Sequence, residues 1–138
     1  MAGLKSLIRL RKRQLDDKRK ILANLMDRLD AVKREERRTI ENFEEEKNLA
    51  AKEPELLRAF PNYNKRIQEK LKLLHNEIEK LNKAIDRARD DLQDAFKEMK
   101  TYEITDAERE RRIAVAEKKT EDMEMDAIGL EGYRRKEK

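Results

Sequence analysis

The sequence is poor in the residues that most compact folds require. It has no cysteine and no tryptophan, and only two prolines and three glycines among 138 residues. Without cysteine the chain can form no disulfide, thiolate metal site or cysteine nucleophile, and the scarcity of turn residues excludes most sheet folds. No apolar run approaches the ~18 residues of a membrane-spanning helix. We therefore expect a soluble, cytoplasmic protein and do not expect a compact enzyme core.

Charged and helix-favouring residues take the place of the missing types. Charged residues make up 48% of the chain, about twice the average for soluble domains. Ala, Glu, Leu, Lys and Arg together supply 84 of the 138 residues, a composition typical of long helices and coiled coils. The 35 basic and 31 acidic residues nearly cancel to a net charge of +4. This balance, together with periodic apolar residues, favours folded helices over a disordered chain.

Two segments carry apolar residues at seven-residue intervals. The first extends from residue 4 to about residue 51 and has its best seam from Leu22 to Val32. The second has a strict 3.5-residue repeat, which predicts a left-handed coiled coil. Its apolar or aromatic positions are Ile67, Leu71, Leu74, Ile78, Leu81, Ile85, Ala88, Leu92, Ala95, Met99 and Tyr102.

Two prolines separate these segments and predict a hinge. Proline suits the first turn of a helix but not its interior. We therefore predict a helix over residues 4–52, a hinge with a short helix over 53–62, a helix over 63–128 and a basic tail over 129–138, in one all-α domain. The two long helices are expected to form an antiparallel coiled-coil hairpin in which residue n faces about residue 114 − n. In this register Phe43 lies near Leu71.

The same register leaves the end of the third segment without a partner. The first helix runs out of residues opposite about Glu110, so the second helix would project beyond it. A lone amphipathic helix is marginal in water, and we therefore expect this end to dock into a groove or pore of another protein. The apolar stripe that would make the contact consists of Ile113, Ala116, Met123, Ala127 and Leu130.

The residues that could carry chemistry are few. His75 is the only histidine, it flanks the predicted seam, and a lone histidine without cysteine cannot build a zinc site. The carboxylates are predicted to lie on solvated helix faces, and the sequence has no glycine-rich phosphate loop. We therefore expect no catalytic, cofactor-binding or metal-binding residues, and do not expect an enzyme.

The first 20 residues carry a net charge of +6. Basic residues followed by heptads are typical of basic-zipper DNA readers, but the apolar Ile8 and Leu15 continue through this stretch, which a groove-bound helix would not need. The apolar positions of this basic stretch also lack the Trp or Phe that is typical of a membrane-surface helix. A solvated face is the simplest interpretation, and contact with an acidic protein surface is the functional one that we favour.

Three stretches of the sequence resemble the flagellar FliJ family, the small coiled-coil components of the flagellar type III export apparatus. They are the opening over residues 4–15, the pair Asn62-Tyr63 after the hinge, and the ending over residues 126–136. The resemblance implies an antiparallel two-helix coiled coil similar to the central stalk of rotary ATPases. It also implies bacterial flagellum biogenesis and motility as the setting, at the cytoplasmic face of the flagellar basal body.

The partners that this resemblance implies are the flagellar export ATPase, the cytoplasmic domain of the export gate, and export chaperones. Members of the family are thought to sit at the pore of the hexameric ATPase and promote its assembly, and they escort chaperones for filament-type substrates. The gate contact lies at the hinge-side ends of the helices, where the corresponding residues are Phe43, Tyr63, Ile67 and Leu71. Any contact with a membrane would be peripheral and through these partners, and no specific nucleic acid is implied.

Two other functional classes remain open from the sequence. One is a generic homodimeric coiled-coil scaffold, in which two chains supply the seam. The other is a basic, nucleic-acid-associated helical protein, which would bind phosphates in a strongly salt-dependent way.

Overall fold

The fold is all-α, as the composition predicts. In the computed structural model, which describes residues 2–137, the chain forms two long helices, α1 (Ala2–Lys52) and α2 (Pro54–Glu137). These described residues form no strand. Side chains are described from Gly3 to Lys136.

A single residue, Glu53, separates the two helices. The N–H of Leu57 donates to the carbonyl of Glu53 at 3.1 Å, which is the first hydrogen bond of α2. Pro54 begins the helix because its missing N–H would have no helical partner there and its fixed φ suits the first turn. Glu55 adds a negative charge in the first turn of α2, where the helix dipole favours it.

The predicted second break at Phe60-Pro61 is wrong, because α2 continues through Pro61. Residues 53–62 therefore form no separate short helix. A proline inside a helix removes one hydrogen bond and tends to kink the chain. Phe60 and Tyr63, on either side of Pro61, both pack on Phe43, with ring centroids 5.7 and 6.4 Å apart. These contacts hold both turns in place and offset the missing hydrogen bond.

The prediction of a separate basic tail over 129–138 is also wrong, because α2 extends to Glu137. Lys138 lies outside the described residues. Gly129 and Gly132 lower helix stability but do not have to end a helix, and neither adopts a positive φ. Arg135 pairs with Glu131 at 3.3 Å, one turn earlier. Basic residues in the last turn also interact favourably with the helix dipole.

The chain divides into two compact units. The central unit comprises Gln14–Asp94, and the terminal unit comprises Met1–Arg13 with Ala95–Lys138. In each unit the residues turned away from solvent are those of the heptad seam. Every seam position from Ile67 to Tyr102 is buried or half-buried. The buried residues of the central unit are Leu15, Thr39, Ala50, Leu81, Ile85 and Ala88, and those of the terminal unit are Ile8 and Met99.

Contacts in the central unit correct the predicted register. The two helices meet in opposite sequence order, since Arg28 pairs with Glu77 at 3.0 Å and Glu35 with Lys70 at 2.9 Å. Phe43 contacts Phe60 and Tyr63, which precede the predicted Leu71 along α2. In this unit the predicted partners of Arg28 and Glu35 lie nine residues too far along α2. In the terminal unit Lys5 and Lys12 contact Glu110 and Glu103, each within one residue of the prediction.

Candidate functional site: the exposed end of helix α2

The last part of α2 lies outside the packed seam. Each residue from 111 to 136 is exposed, whereas Arg109 just before it is half-buried. Large apolar side chains occur throughout this segment with exposed fractions from 50% to 69%. Exposed apolar surface of this kind is typical of interaction sites in folded proteins, and a docking role for this segment stays a prediction. These side chains are Ile113, Val115, Met123, Met125, Ile128, Leu130 and Tyr133.

The stripe predicted from the sequence lies on this exposed segment. Its members Ile113, Ala116, Met123, Ala127 and Leu130 are all exposed. Together with Thr120 they are spaced alternately three and four residues apart, which places them on one face of α2. A groove of about 440 Å³ follows this face and is lined by Ile113, Ala116 and Thr120 together with glutamates. That another protein fills this groove stays a prediction.

Charged contacts connect the start of α1 to α2 just before the exposed segment. Lys5 Nζ lies 2.8 Å from Glu110 Oε1, and Lys12 Nζ lies 3.5 Å from Glu103 Oε1. The hydrogen bond between Lys5 and Glu110 raises the pKa of the lysine and lowers the pKa of the glutamate. A second groove of about 350 Å³ opens beside this pair and is lined by Lys5, Glu110, Ile113 and Glu117, among others.

The predicted basic surface at the start of α1 is partly neutralised within the chain. Lys5 and Lys12 form the pairs just described, and Arg11 lies 3.0 Å from Glu98 with its guanidinium 5.8 Å from the centre of the Tyr102 ring. These side chains are engaged by carboxylates of α2 in the terminal unit. Contact between the rest of the basic stretch and an acidic protein remains a prediction.

The four residues predicted at the hinge side are half-buried. Phe43 stacks on Tyr63 with an interplanar angle of 15°, and Ile67 and Leu71 occupy seam positions of α2. Their apolar surface is therefore largely used inside the central unit, which is the interior role expected of seam residues.

Other apolar residues are exposed near the single-residue turn, and the sequence reading missed them. They are Leu49, Leu56 and Leu57. A groove of about 190 Å³ nearby is lined by Leu56, Phe60 and Tyr63, among others. Leu56 and Leu57 lie between the two prolines and outside the heptad frame, so periodicity gave no signal for them.

His75, the histidine of this sequence, lies on an exposed face of α2. His75 Nε2 lies 3.2 Å from Glu79 Oε1 one turn along the same helix, and both side chains are exposed. Between residues 2 and 137, no group of three His, Asp or Glu side chains is placed to hold a metal ion. The two helices also contain no stretch long and apolar enough to cross a membrane in this part of the chain.

The Glu35–Lys70 pair gives a prediction for acid unfolding. The hydrogen bond from Lys70 lowers the pKa of Glu35 below its ordinary value of 4.5. A carboxyl group whose pKa is lower in the folded state stabilises that state above the unfolded pKa, and the contribution disappears as pH falls through the folded pKa. We expect Glu35→Gln to lower the urea midpoint at pH 7, and this difference from the parent to be smaller at pH 3 than at pH 7.

Glu41→Gln is the matched control for this measurement. Glu41 is exposed on α1, and its substitution removes the same charge. It should leave the urea midpoint nearly unchanged at both pH values. An effect of Glu35→Gln that is equal at pH 7 and pH 3 would contradict the assignment of an ionic contribution to this pair.

Comparison with known proteins identified no relative. The chain matches no family model, no curated protein and no solved structure.

Proposed function

We propose that this protein is a FliJ-like component of a flagellar type III export apparatus. It binds the export ATPase ring through the exposed end of α2, promotes assembly and activity of that ATPase, contacts the export gate, and escorts export chaperones. It acts in the cytoplasm at the face of the flagellar basal body. The observation that carries the proposal is the continuous exposure of residues 111–136, with an apolar stripe, on a helix whose preceding part is packed.

The proposed architecture is an antiparallel coiled-coil hairpin with a projecting C-terminal helix. The pairs Arg28–Glu77 and Glu35–Lys70 in the central unit, and Lys5–Glu110 in the terminal unit, support it. Each joins residues that flank the heptad seams of α1 and α2, as charged pairs do in coiled coils. Thr39 occupies a seam position without leaving an unpaired hydroxyl, because it donates to the carbonyl of Glu35 at 2.8 Å.

The exposed helix suits insertion into a ring for an energetic reason. A helix without a packing partner is only marginally stable in water, so docking supplies the stabilisation that the segment lacks. Burying a side chain such as Ile113, Met123 or Leu130 contributes about 1.5–3 kcal/mol. The stripe extends over five helical turns and therefore offers several such contacts along a pore.

The gate contact is proposed at the hinge side. The residues that the family resemblance implies there, Phe43, Tyr63, Ile67 and Leu71, are half-buried in the central unit. The exposed Leu56 and Leu57, next to the groove lined by Phe60 and Tyr63, supply accessible apolar surface at the same end. The gate is therefore proposed to contact these leucines first.

The test is ATP hydrolysis by purified flagellar export ATPase from the same organism, with this protein titrated in and ring formation followed by light scattering. The intact chain should stimulate hydrolysis and ring formation. The full-length double variant Ile113→Asp/Met123→Asp should lose the stimulation, because it places charges on the stripe. Its helical content should be unchanged, since both side chains are already exposed.

Leu73→Asp is the control, because Leu73 is an exposed leucine of α2 in the central unit, away from the stripe. It should stimulate as the parent does. A folded parent protein that neither binds nor stimulates its own ATPase would rule out the proposed function.

A further inference from the structure

A row of glutamates accompanies the seam face along the second half of α2. The members follow one another at seven-residue intervals, and each comes directly after a seam position. A constant spacing of seven keeps them on one edge of the seam in a coiled coil. They are Glu103, Glu110, Glu117, Glu124 and Glu131.

The first two glutamates of the row already pair with lysines of α1. Lys12 contacts Glu103 and Lys5 contacts Glu110, and Glu103 also accepts a hydrogen bond from Lys100 of its own helix at 3.1 Å. The two lysines are themselves seven residues apart, and the pairing runs antiparallel. α1 therefore places a lysine beside each of the two glutamates of the row that it reaches.

The row continues past the last pair without such matches. Glu117 and Glu124 form no ion pair within residues 2–137, and both are exposed. Glu117 lines both grooves and Glu124 lines the one beside Ala116 and Thr120. Glu131 is held only by Arg135 of its own helix. An exposed apolar stripe and an unmatched acidic edge thus occupy the same stretch of α2.

We infer that the exposed end of α2 binds a partner helix that runs antiparallel to it and carries lysine or arginine at seven-residue intervals. The basic residues of this partner face Glu117 and Glu124, as Lys5 faces Glu110, while its apolar residues pack on the exposed Ile113 and Met123. The inference rests on the proposed function for one point only, namely that this segment docks onto another protein. It names the chemistry of that contact.

A second copy of this chain is a poor occupant. If two exposed ends paired antiparallel, their glutamate rows would face each other, and like charges at these positions disfavour pairing. If they paired parallel, the helices would also meet before residue 113. There the second copy's α2 would have to pack on the face of α2 that α1 already covers beside Glu103 and Glu110. A separate basic helix meets neither obstacle.

The two parts of the contact have different roles. Exposed ion pairs contribute little affinity individually, so the apolar stripe supplies most of the binding free energy. Charges flanking a coiled-coil seam instead select the partner, its orientation and its register. Reversing the charges should therefore change which partner is preferred.

The probe is a pair of synthetic helical peptides of four heptads with identical leucine and isoleucine seams, shown to be monomeric by sedimentation. One peptide carries lysine, and the other carries glutamate, at the heptad position that corresponds to Lys5 and Lys12 of α1. Binding to the full-length protein is measured by calorimetry at low and at physiological salt. The lysine peptide should bind at least tenfold more tightly, with the margin shrinking at high salt.

Charge reversal in the protein provides the second arm. The full-length variant Glu117→Lys/Glu124→Lys should prefer the glutamate peptide. The matched control is Glu108→Lys/Asp122→Lys, which changes the net charge equally at exposed positions outside the row, and it should keep the preference for lysine.

Equal affinity for both peptides, no binding of the lysine peptide, or a reversed preference in the control would overturn the inference. Dimers that form through residues 113–131 in sedimentation would also overturn it, with a second copy as the occupant. ATPase stimulation without lysine-peptide binding refutes only the basic-helix inference. Lysine-peptide binding without ATPase stimulation refutes only the proposed function.

Discussion

Replacing Ile85 with aspartate is expected to unfold the protein. Ile85 is only 4% exposed and occupies the middle of the α2 seam, where a carboxylate would be removed from water. An uncompensated buried charge costs about 3–5 kcal/mol, whereas a domain of ordinary stability has about 5–15 kcal/mol in total. A two-helix protein with few buried residues belongs at the lower end of that range. Circular dichroism should show a large loss of helix at 25 °C, or a melt with little cooperativity.

The same substitution at Leu73 is the matched control. Leu73 is a leucine of the same helix and the same unit, but it is 70% exposed, so an aspartate there remains solvated. Surface substitutions of this kind usually change the free energy of unfolding by less than about 0.5 kcal/mol. If Ile85→Asp melted as Leu73→Asp does, Ile85 would not lie in a buried seam.

The seam was predictable because it depends on local periodicity. Residues such as Leu81, Ile85 and Met99 recur at the 3.5-residue interval that keeps one side of a helix facing its neighbour, and all three are buried. The exposure of Ile113 and the residues after it was anticipated from the register, which places the start of the first predicted helix opposite about Glu110. The position of Lys5 opposite Glu110 agrees with that reasoning.

The turn was not predictable in the same way. Pro61 carries a strong local preference against a helix interior, and the sequence does not reveal that Phe43 packs against Phe60 and Tyr63 on both sides of it. Tertiary contact outweighed local propensity there. The error affected the partners near the turn: Phe43 was placed beside Leu71, and it stacks on Tyr63, which lies eight residues earlier in α2.

The glutamate row was visible in the sequence, but its meaning was not. Glu103, Glu110, Glu117 and Glu124 recur at seven-residue intervals among many other charges, and most charges on a helix simply face water. The structure singles out this row because Lys5 and Lys12 contact its first two members. The partner chemistry follows only from knowing which glutamates are matched and which are not.

We propose that α2 has a packed part and an exposed part that is available for docking. Amide hydrogen exchange of the intact protein, followed by mass spectrometry or NMR, measures both parts in one experiment. Amides in a packed core exchange only through large-scale unfolding, whereas a helix without tertiary contacts opens readily. For a global stability near 5 kcal/mol, protection in the packed part should approach a few thousandfold.

We predict that amides around Ile85 and Ala88 exchange at least about a hundredfold more slowly than amides from residue 113 to residue 130. Addition of the lysine peptide should slow exchange in the second region and leave the first unchanged. Equal protection of both regions in the free protein would contradict the account, because the end of α2 would then already be covered and could not serve as an open docking surface.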